Sequence, residues 1–203
     1  MDDVYYTIQQ SAKTEIKRKG SRFIGEALLV EGVAQATEKL EQIRKREHAA
    51  THHCYAWRVG LESEVRFKYS DDGEPGGSAG RPIYDVVCGH QLTNSLLVVT
   101  RYYGGTKLGT GGLVRAYGDA ATATLDKAGR LERFVLCGIK VRIDFGLYDR
   151  LAKLIHSHDA RQSSADFSDR VTLELQVRQS RVDVLINDIV QLSSGKATIE
   201  KLS

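Results

Sequence analysis

Glycine is concentrated in one stretch of this 203-residue chain, and that concentration limits the folds that the chain can adopt. The stretch covers residues 69–118 and contains both prolines, Pro75 and Pro82, and eleven of the nineteen glycines, at positions 73, 76, 77, 80, 89, 104, 105, 109, 111, 112 and 118. Glycine at this density indicates backbone that adopts positive φ angles or lies close to another group. We therefore expect a binding site of this chain to lie in this stretch.

Strand and helix patterns alternate before and within the glycine-rich stretch. Apolar periodicity predicts short strands within residues 5–30, a helix over 33–46, strands over 52–59 and 65–69, a helix beginning at Pro82, a strand over 95–103, a loop over 104–112, and a helix over 113–128. The strand over 95–103 is almost continuously apolar at its start, which is typical of a strand covered on both faces. Gly129 follows the last helix, where a C-terminal glycine is expected.

The pattern changes after Arg133. Apolar residues alternate strictly over 135–145 and again over 171–177, and helical patterns follow each of these segments. With a weak strand at 165–167 and a last strand at 197–201, the order is β-α-β-β-α-β, which is the ferredoxin-like plan. We predict an α+β chain with two domains, residues 1–132 and residues 133–203.

Composition points to a cytoplasmic protein without a membrane partner. The chain is 41% hydrophobic and 27% charged, and no apolar run approaches the roughly 20 residues that span a bilayer. The first residues, MDDVYYTIQQ, resemble neither a signal peptide nor a transit peptide. Cys54, Cys88 and Cys137 are odd in number and lack C-x-x-C spacing, which fits a reducing compartment and argues against a disulfide framework or a zinc knuckle.

A formal net charge of +3 means that an anion site must come from local placement of cations. Glycine loops precede two predicted helices, the first loop at residues 76–80 before Pro82 and the second at 109–112 before Leu113. A helix start offers free N–H donors and partial positive charge to a phosphate. The second loop is also flanked by cations and tyrosines, a mixture that suits phosphate contacts and base stacking. Neither loop matches a P-loop or a Rossmann fingerprint. We predict an RNA- or phosphate-binding surface formed by Arg101, Tyr102, Gly104, Gly105, Lys107, Gly109, Gly111, Gly112 and Arg115.

Three carboxylates in the first loop allow a second interpretation. Asp71, Asp72 and Glu74 could hold Mg²⁺ beside a bound phosphate, as in a nucleotide- or phosphate-binding enzyme. The structural alternative is a turn in which these side chains bind the local backbone. No nucleophile and base pair stands out, and the histidines near Cys54 match no zinc spacing. We expect a non-catalytic protein with no cofactor and no metal.

Two sequence blocks, YSDDGEPGGSAGRPIYDV and VVTRYYGGTKLGTGGLVRAYGDAA, resemble the signature of the IMPACT family. The resemblance extends over about residues 19–128. It implies an N-terminal domain of the ribosomal protein S5 domain 2-like fold and a C-terminal ferredoxin-like domain similar to one in elongation factor G. Eukaryotic members of the family are translation regulators that bind a ribosome-associated activator.

The resemblance and the basic loop together predict a regulatory protein associated with translation. We expect it to bind RNA or the ribosome through the glycine-rich basic surface, with a protein partner in translation control as a further possibility. The alternatives are the magnesium-dependent enzyme described above and a protein-interaction module in which the loops only shape a surface.

Overall fold

The computed structural model describes residues 3–202, and the chain divides into two compact units. One unit comprises Tyr5–Arg133, and the other joins the start of the chain, through Val4, to the residues from Phe134 onward. Helices and antiparallel strands occur in both, so the fold is mixed α/β. Within residues 3–202, every helix is too short or too polar to cross a membrane.

The first unit is built on a five-stranded antiparallel sheet with the order β2-β3-β6-β4-β5. Its strands are β1 (Val4–Ile8), β2 (Ala12–Arg18), β3 (Ser21–Leu29), β4 (His52–Val59), β5 (Arg66–Ser70), β6 (Ser95–Tyr102) and β7 (Arg130–Phe134), with β1 and β7 forming a separate two-stranded sheet. Its helices are α1 (Val33–Arg46), α2 (Gly80–Gly89) and α3 (Thr110–Ala128).

Helices cover both faces of the five-stranded sheet, and β6 lies at its centre. Leu96 and Val98 of β6 pack with α1 on one face, whereas Leu97 and Val99 pack with α2 and α3 on the other. Because both sets of side chains are excluded from water, the strand reads as an apolar run. The prediction of a strand covered on both faces is confirmed.

The second unit carries a four-stranded antiparallel sheet with the order β11-β8-β10-β9. Its elements are β8 (Leu136–Ile143), α4 (Tyr148–Ser157), β9 (Arg161–Phe167), β10 (Val171–Arg178), α5 (Val182–Leu192) and β11 (Thr198–Leu202). Alternate residues of β8 and β10 are fully buried with the apolar faces of the two helices. The predicted β-α-β-β-α-β order of elements is confirmed.

Asp3 and Val4 belong to this second unit, although the predicted boundary places them in the first domain. The Asp3 carbonyl oxygen accepts a hydrogen bond from the Val135 N–H at 2.7 Å. The Asp3 carboxylate accepts the Ser180 hydroxyl at 2.6 Å and the Ser180 N–H at 3.2 Å. The two bonds from Ser180 hold the pKa of the Asp3 carboxyl below its ordinary value, although burial opposes them.

Two helices begin earlier than their apolar periodicity predicts. The α2 helix begins at Gly80 instead of Pro82, and α3 begins at Thr110 instead of Leu113. The prediction of a loop through residue 112 is therefore wrong, because Gly111 and Gly112 already belong to the first turn of α3. Glycine has no side chain, so these positions add nothing to the periodic pattern.

Candidate functional site

The loop between β6 and α3 lies on the surface of the first unit. Tyr103 is 46% exposed, and Gly104, Gly105 and Lys107 after it are exposed as well. Arg115, in the second turn of α3, is also exposed. Lys107 and Arg115 make no hydrogen bond or ion pair with any residue from 3 to 202, so both cations are free to meet an anion.

The α3 helix begins without a side-chain cap. Gly109 occupies the N-cap position with φ 75°, a left-handed conformation that favours glycine, and the Leu113 N–H closes the first turn on the Gly109 carbonyl at 2.9 Å. The N–H groups of Thr110, Gly111 and Gly112 precede that first bond, and no acceptor for them occurs among residues 3–202. The first turn carries no acidic residue. Backbone donors and the positive end of the helix dipole therefore face outward together.

The turn between β2 and β3 lies beside this loop. A Cβ at Gly104 would overlap the backbone of Gly20, so only glycine allows the two segments to approach so closely. Arg18 reaches Asp119 of α3 at 2.9 Å, which holds the hairpin beside the helix. Lys19 in the turn is exposed and has no partner among the described residues, so its charge adds to this surface. Sequence reasoning missed Lys19, since nothing in the chain relates a Lys-Gly turn to a loop 85 residues later.

Arg101 does not belong to the exposed surface. Its side chain is buried, with 5% of the residue exposed, and the guanidinium donates to the Glu74 carboxylate at 2.6 Å and to the Ser21 hydroxyl at 3.3 Å. The prediction of a phosphate contact here needs correction, because Arg101 points into the first unit and already has an anionic partner. Its Nε–H has no acceptor in the described residues.

Tyr102 also differs from its predicted role. Neighbouring residues of a strand point to opposite faces, and the Tyr102 hydroxyl donates to the Glu47 carboxylate at 2.8 Å. Burial would raise the pKa of Glu47, but donors on Lys13, Tyr102 and Arg46 outweigh it and lower that pKa to about 2. The exposed aromatic ring of the loop is Tyr103, next in the chain.

Glu74 lies at the centre of a buried polar cluster. One carboxylate oxygen accepts both the Arg101 guanidinium at 2.6 Å and the Tyr117 hydroxyl at 2.7 Å. Burial raises the pKa of Tyr117 well above its ordinary value, which keeps the hydroxyl protonated as a donor. His52 Nε2 lies 3.8 Å from the same oxygen. The cluster joins the first glycine loop to β6 and α3.

Asp71 occupies the anion position at the start of α2. Its two carboxylate oxygens accept the N–H groups of Gly77, Ala79 and Gly80 at 2.9, 2.9 and 2.8 Å. Burial opposes ionisation, but these three donors outweigh it and hold the pKa of Asp71 below its ordinary value. The sequence pattern suggests a phosphate site at the first glycine loop as well. In the structure, the N–H donors of that loop bind the carboxylate of Asp71 instead.

Asp72, next in the chain, anchors the same loop to the rest of the first unit. Its carboxylate accepts the His53 N–H at 2.7 Å and the Arg44 guanidinium at 2.8 Å, which fastens the loop to β4 and α1. All three acidic residues thus have protein donors, and their carboxylates face different partners. No group of three or more histidine, cysteine, aspartate or glutamate side chains placed to hold a metal ion occurs within residues 3–202.

Comparisons with known proteins give consistent matches across the chain. The model of the Impact N-terminal domain matches residues 19–125, and that of a domain of unknown function, DUF1949, matches residues 141–196. The chain is 31% identical to the IMPACT family member YvyE of Bacillus subtilis (strain 168), covering 97% of this chain and 90% of the relative. It is also 31% identical to the IMPACT family member YigZ of Escherichia coli (strain K12), covering 89% and 88%. A solved crystal structure of a hypothetical protein superposes with a TM-score of 0.70 at 27% identity over 100% of this chain and 99% of that chain.

Proposed function

Because this chain belongs to the IMPACT family, we propose that it is a non-catalytic, cytoplasmic regulator of translation that binds RNA, alone or within the ribosome. The binding surface consists of Lys19, Tyr103, the loop from Gly104 to Gly109, the first turn of α3, and Arg115; we call it the basic loop surface. The translational role rests on the resemblance of the two glycine-rich blocks to a family that contains translation regulators.

One observation carries the proposal, namely that the exposed first turn of α3 has N–H groups without an acceptor among residues 3–202 and has no side chain at Gly111 to cover them. A Cβ built at Gly111 meets no atom within 4 Å, and its φ lies outside the left-handed region. Glycine in a helix costs roughly 0.5–1 kcal/mol relative to alanine, so the bare backbone lowers stability without improving packing. It does leave the free N–H groups of the first turn open to close approach by a group from outside the chain. A phosphate with its negative charge fits those donors.

The side chains around the helix start suit a nucleic acid. Lys107, Arg115 and Lys19 supply cations that have no partner in the part of the chain that the structure describes, and the half-exposed Tyr103 ring offers a face on which a base can stack. Asp71, Asp72 and Glu74 are engaged within the fold, so no observation favours the magnesium-dependent enzyme over RNA binding.

For the fold itself we propose the two assignments that the resemblance implies. The unit Tyr5–Arg133 forms an S5 domain 2-like domain, and the residues from Phe134 onward, with Asp3 and Val4, form a ferredoxin-like domain similar to one in elongation factor G. The sheet order β11-β8-β10-β9, which is 4-1-3-2 in the numbering of that unit alone, supports the second assignment.

A salt titration tests the proposed function. The full chain is titrated against a labelled 20-nucleotide single-stranded RNA, and separately against purified bacterial ribosomes, over a series of salt concentrations. We expect the logarithm of the association constant to fall linearly with log[salt]. Each phosphate contact to a single strand contributes roughly 0.7 to the steepness of that slope. The Lys107→Ala, Arg115→Ala double variant loses two contacts and should therefore reduce the steepness by about 1.4.

The matched control replaces two exposed cations elsewhere, Lys45→Ala and Lys153→Ala, and should leave the slope unchanged. Absence of binding to both probes at low salt, or an equal effect of the control pair, would reject the basic loop surface as the RNA-binding site.

Substitution of Gly111 separates stability from binding. We expect Gly111→Ala to raise the free energy of unfolding by up to about 0.5–1 kcal/mol and to weaken RNA binding several-fold. Gly118→Ala is the control, because Gly118 lies two turns later in the same helix and also has open space around its missing Cβ. It should stabilise the chain at least as much, because Gly118 lies in the interior of the helix, and leave binding unchanged. If the two variants bind RNA equally well, the bare first turn has no role in binding.

A further inference from the structure

The β5 strand lies at one edge of the five-stranded sheet. Among residues 3–202 it pairs only with β4, and four of its five residues are exposed. An edge strand presents unpaired N–H and C=O groups at alternate residues, and these groups are a template for another strand. The side chains of β5 therefore decide which strand could add to this edge.

Aromatic rings form one face of this edge. Phe67 is 53% exposed and stacks on Tyr84 of α2 with 4.9 Å between ring centroids. Tyr69 is 38% exposed and lies 5.4 Å from the same ring. Exposed apolar side chains gathered beside an open edge mark an interaction site more strongly than scattered ones do.

Cations form the other face. Arg66 pairs with Val59 and Lys68 with Trp57, so both project on the side of the sheet that α1 covers. Neither cation has an ion pair among the described residues.

Other charges around the strand leave it positive. Arg58, opposite Phe67, donates to the Leu92 carbonyl and has no carboxylate partner within residues 3–202. Arg81 pairs with Asp85 at 2.7 Å, which cancels both charges. Glu62 and Glu64 lie outside the strand, in the turn before it.

These cations disfavour a second copy of the chain as the occupant. Antiparallel pairing of two β5 strands centred on Lys68 would set two lysines opposite each other, and pairing centred on Phe67 would set Arg66 opposite Lys68. Like charges at directly opposite positions destabilise a strand pair. A strand with carboxylates at those positions would instead gain opposite-charge pairs.

We propose that β5 binds an extended segment of another protein as a sixth strand of the sheet. The segment alternates apolar side chains, which cover Phe67, Tyr69 and Tyr84, with acidic side chains, which face Arg66 and Lys68. Main-chain hydrogen bonds provide affinity, and the two faces of the edge select the sequence. This binding is independent of the basic loop surface.

A designed peptide tests the proposal on the full chain. The probe is an acetylated and amidated octapeptide of alternating valine and glutamate, and the comparison probe has lysine in place of each glutamate. We expect the acidic peptide to slow hydrogen exchange of alternate β5 amides and to bind at least fivefold more tightly than the lysine peptide. Lys68→Glu should remove most of that preference, because Arg66 and the new glutamate leave the face without net charge, and Phe67→Ser should weaken both peptides.

The control variant is Lys17→Glu on β2, the opposite edge strand, which should leave binding of both peptides unchanged. The proposal is overturned if millimolar acidic peptide leaves the β5 amides unprotected, if both peptides bind equally, or if Lys68→Glu has no effect. A wild-type dimer in sedimentation that the Lys68→Glu variant dissociates would assign the edge to a second copy instead.

Discussion

We expect Glu74→Ala to lower the free energy of unfolding of the first unit by about 3–5 kcal/mol, because it leaves the buried Arg101 guanidinium without a counter-charge. The same change removes the acceptor of the buried Tyr117 hydroxyl. Urea unfolding followed by tryptophan fluorescence measures the effect. The chain has one tryptophan, Trp57, and it is buried in the core of the first unit, so the signal reports on that unit.

Two further variants identify the cause of the loss. Arg101→Met added to Glu74→Ala should restore part of the stability, since no unpaired charge then remains buried. Asp119→Ala breaks the exposed ion pair with Arg18 and should cost less than about 1 kcal/mol. If the free energy of unfolding of Glu74→Ala lies within 1 kcal/mol of the wild-type value, the Glu74 cluster does not hold the glycine loop.

Asp71→Ala should destabilise the first unit by about 2–3 kcal/mol. The substitution removes the cap of α2 and leaves three N–H groups without an acceptor, and loss of an N-cap alone costs roughly 0.5–2 kcal/mol. Asp71→Asn keeps one oxygen in place, so its effect should be intermediate. The same fluorescence measurement applies to both variants.

The pH dependence distinguishes an ionised cap from a neutral one. The pKa of Asp71 is lower in the folded state than in the unfolded state, so its contribution to stability is present above the unfolded value of about 4 and is lost as the pH falls through the folded value. The difference in stability between wild type and Asp71→Asn should therefore narrow below pH 4. A difference that stays constant from pH 7 to pH 3 would contradict a charged cap.

The two glycine loops show what could and could not be predicted from the sequence. Both place glycines before a helix, and the local pattern assigns both the same role. In the structure, Asp71 occupies the donors before α2, whereas the donors at the start of α3 stay open. The two loops differ because the Asp71 carboxylate folds back onto N–H groups six to nine residues later in the chain. A pattern of glycines before a helix does not say where such a carboxylate will lie.

Arg101 illustrates the same limit over a longer distance. Its strand was predictable, because eight consecutive residues of β6 pack in the centre of a sheet and five of them form an apolar or β-branched run. Its burial was not, because the partner Glu74 lies 27 residues earlier in a loop. The strands β8 and β10 were predictable because their apolar and polar residues alternate along the chain. One face of each strand packs on helices and the other faces water.

The bonds between Asp3 and Ser180 have a consequence for the order in which the chain folds. They link residues 177 positions apart, so the second unit stays incomplete until nearly the whole chain has been synthesised. The first unit needs no residue beyond Arg133 and can fold earlier. Pairing of β1 with β7 then brings residues 4 to 8 beside residues 130 to 134. This pairing shortens the loop that must close when Asp3 binds Ser180. Closing it therefore costs less conformational entropy than the separation of 177 residues suggests.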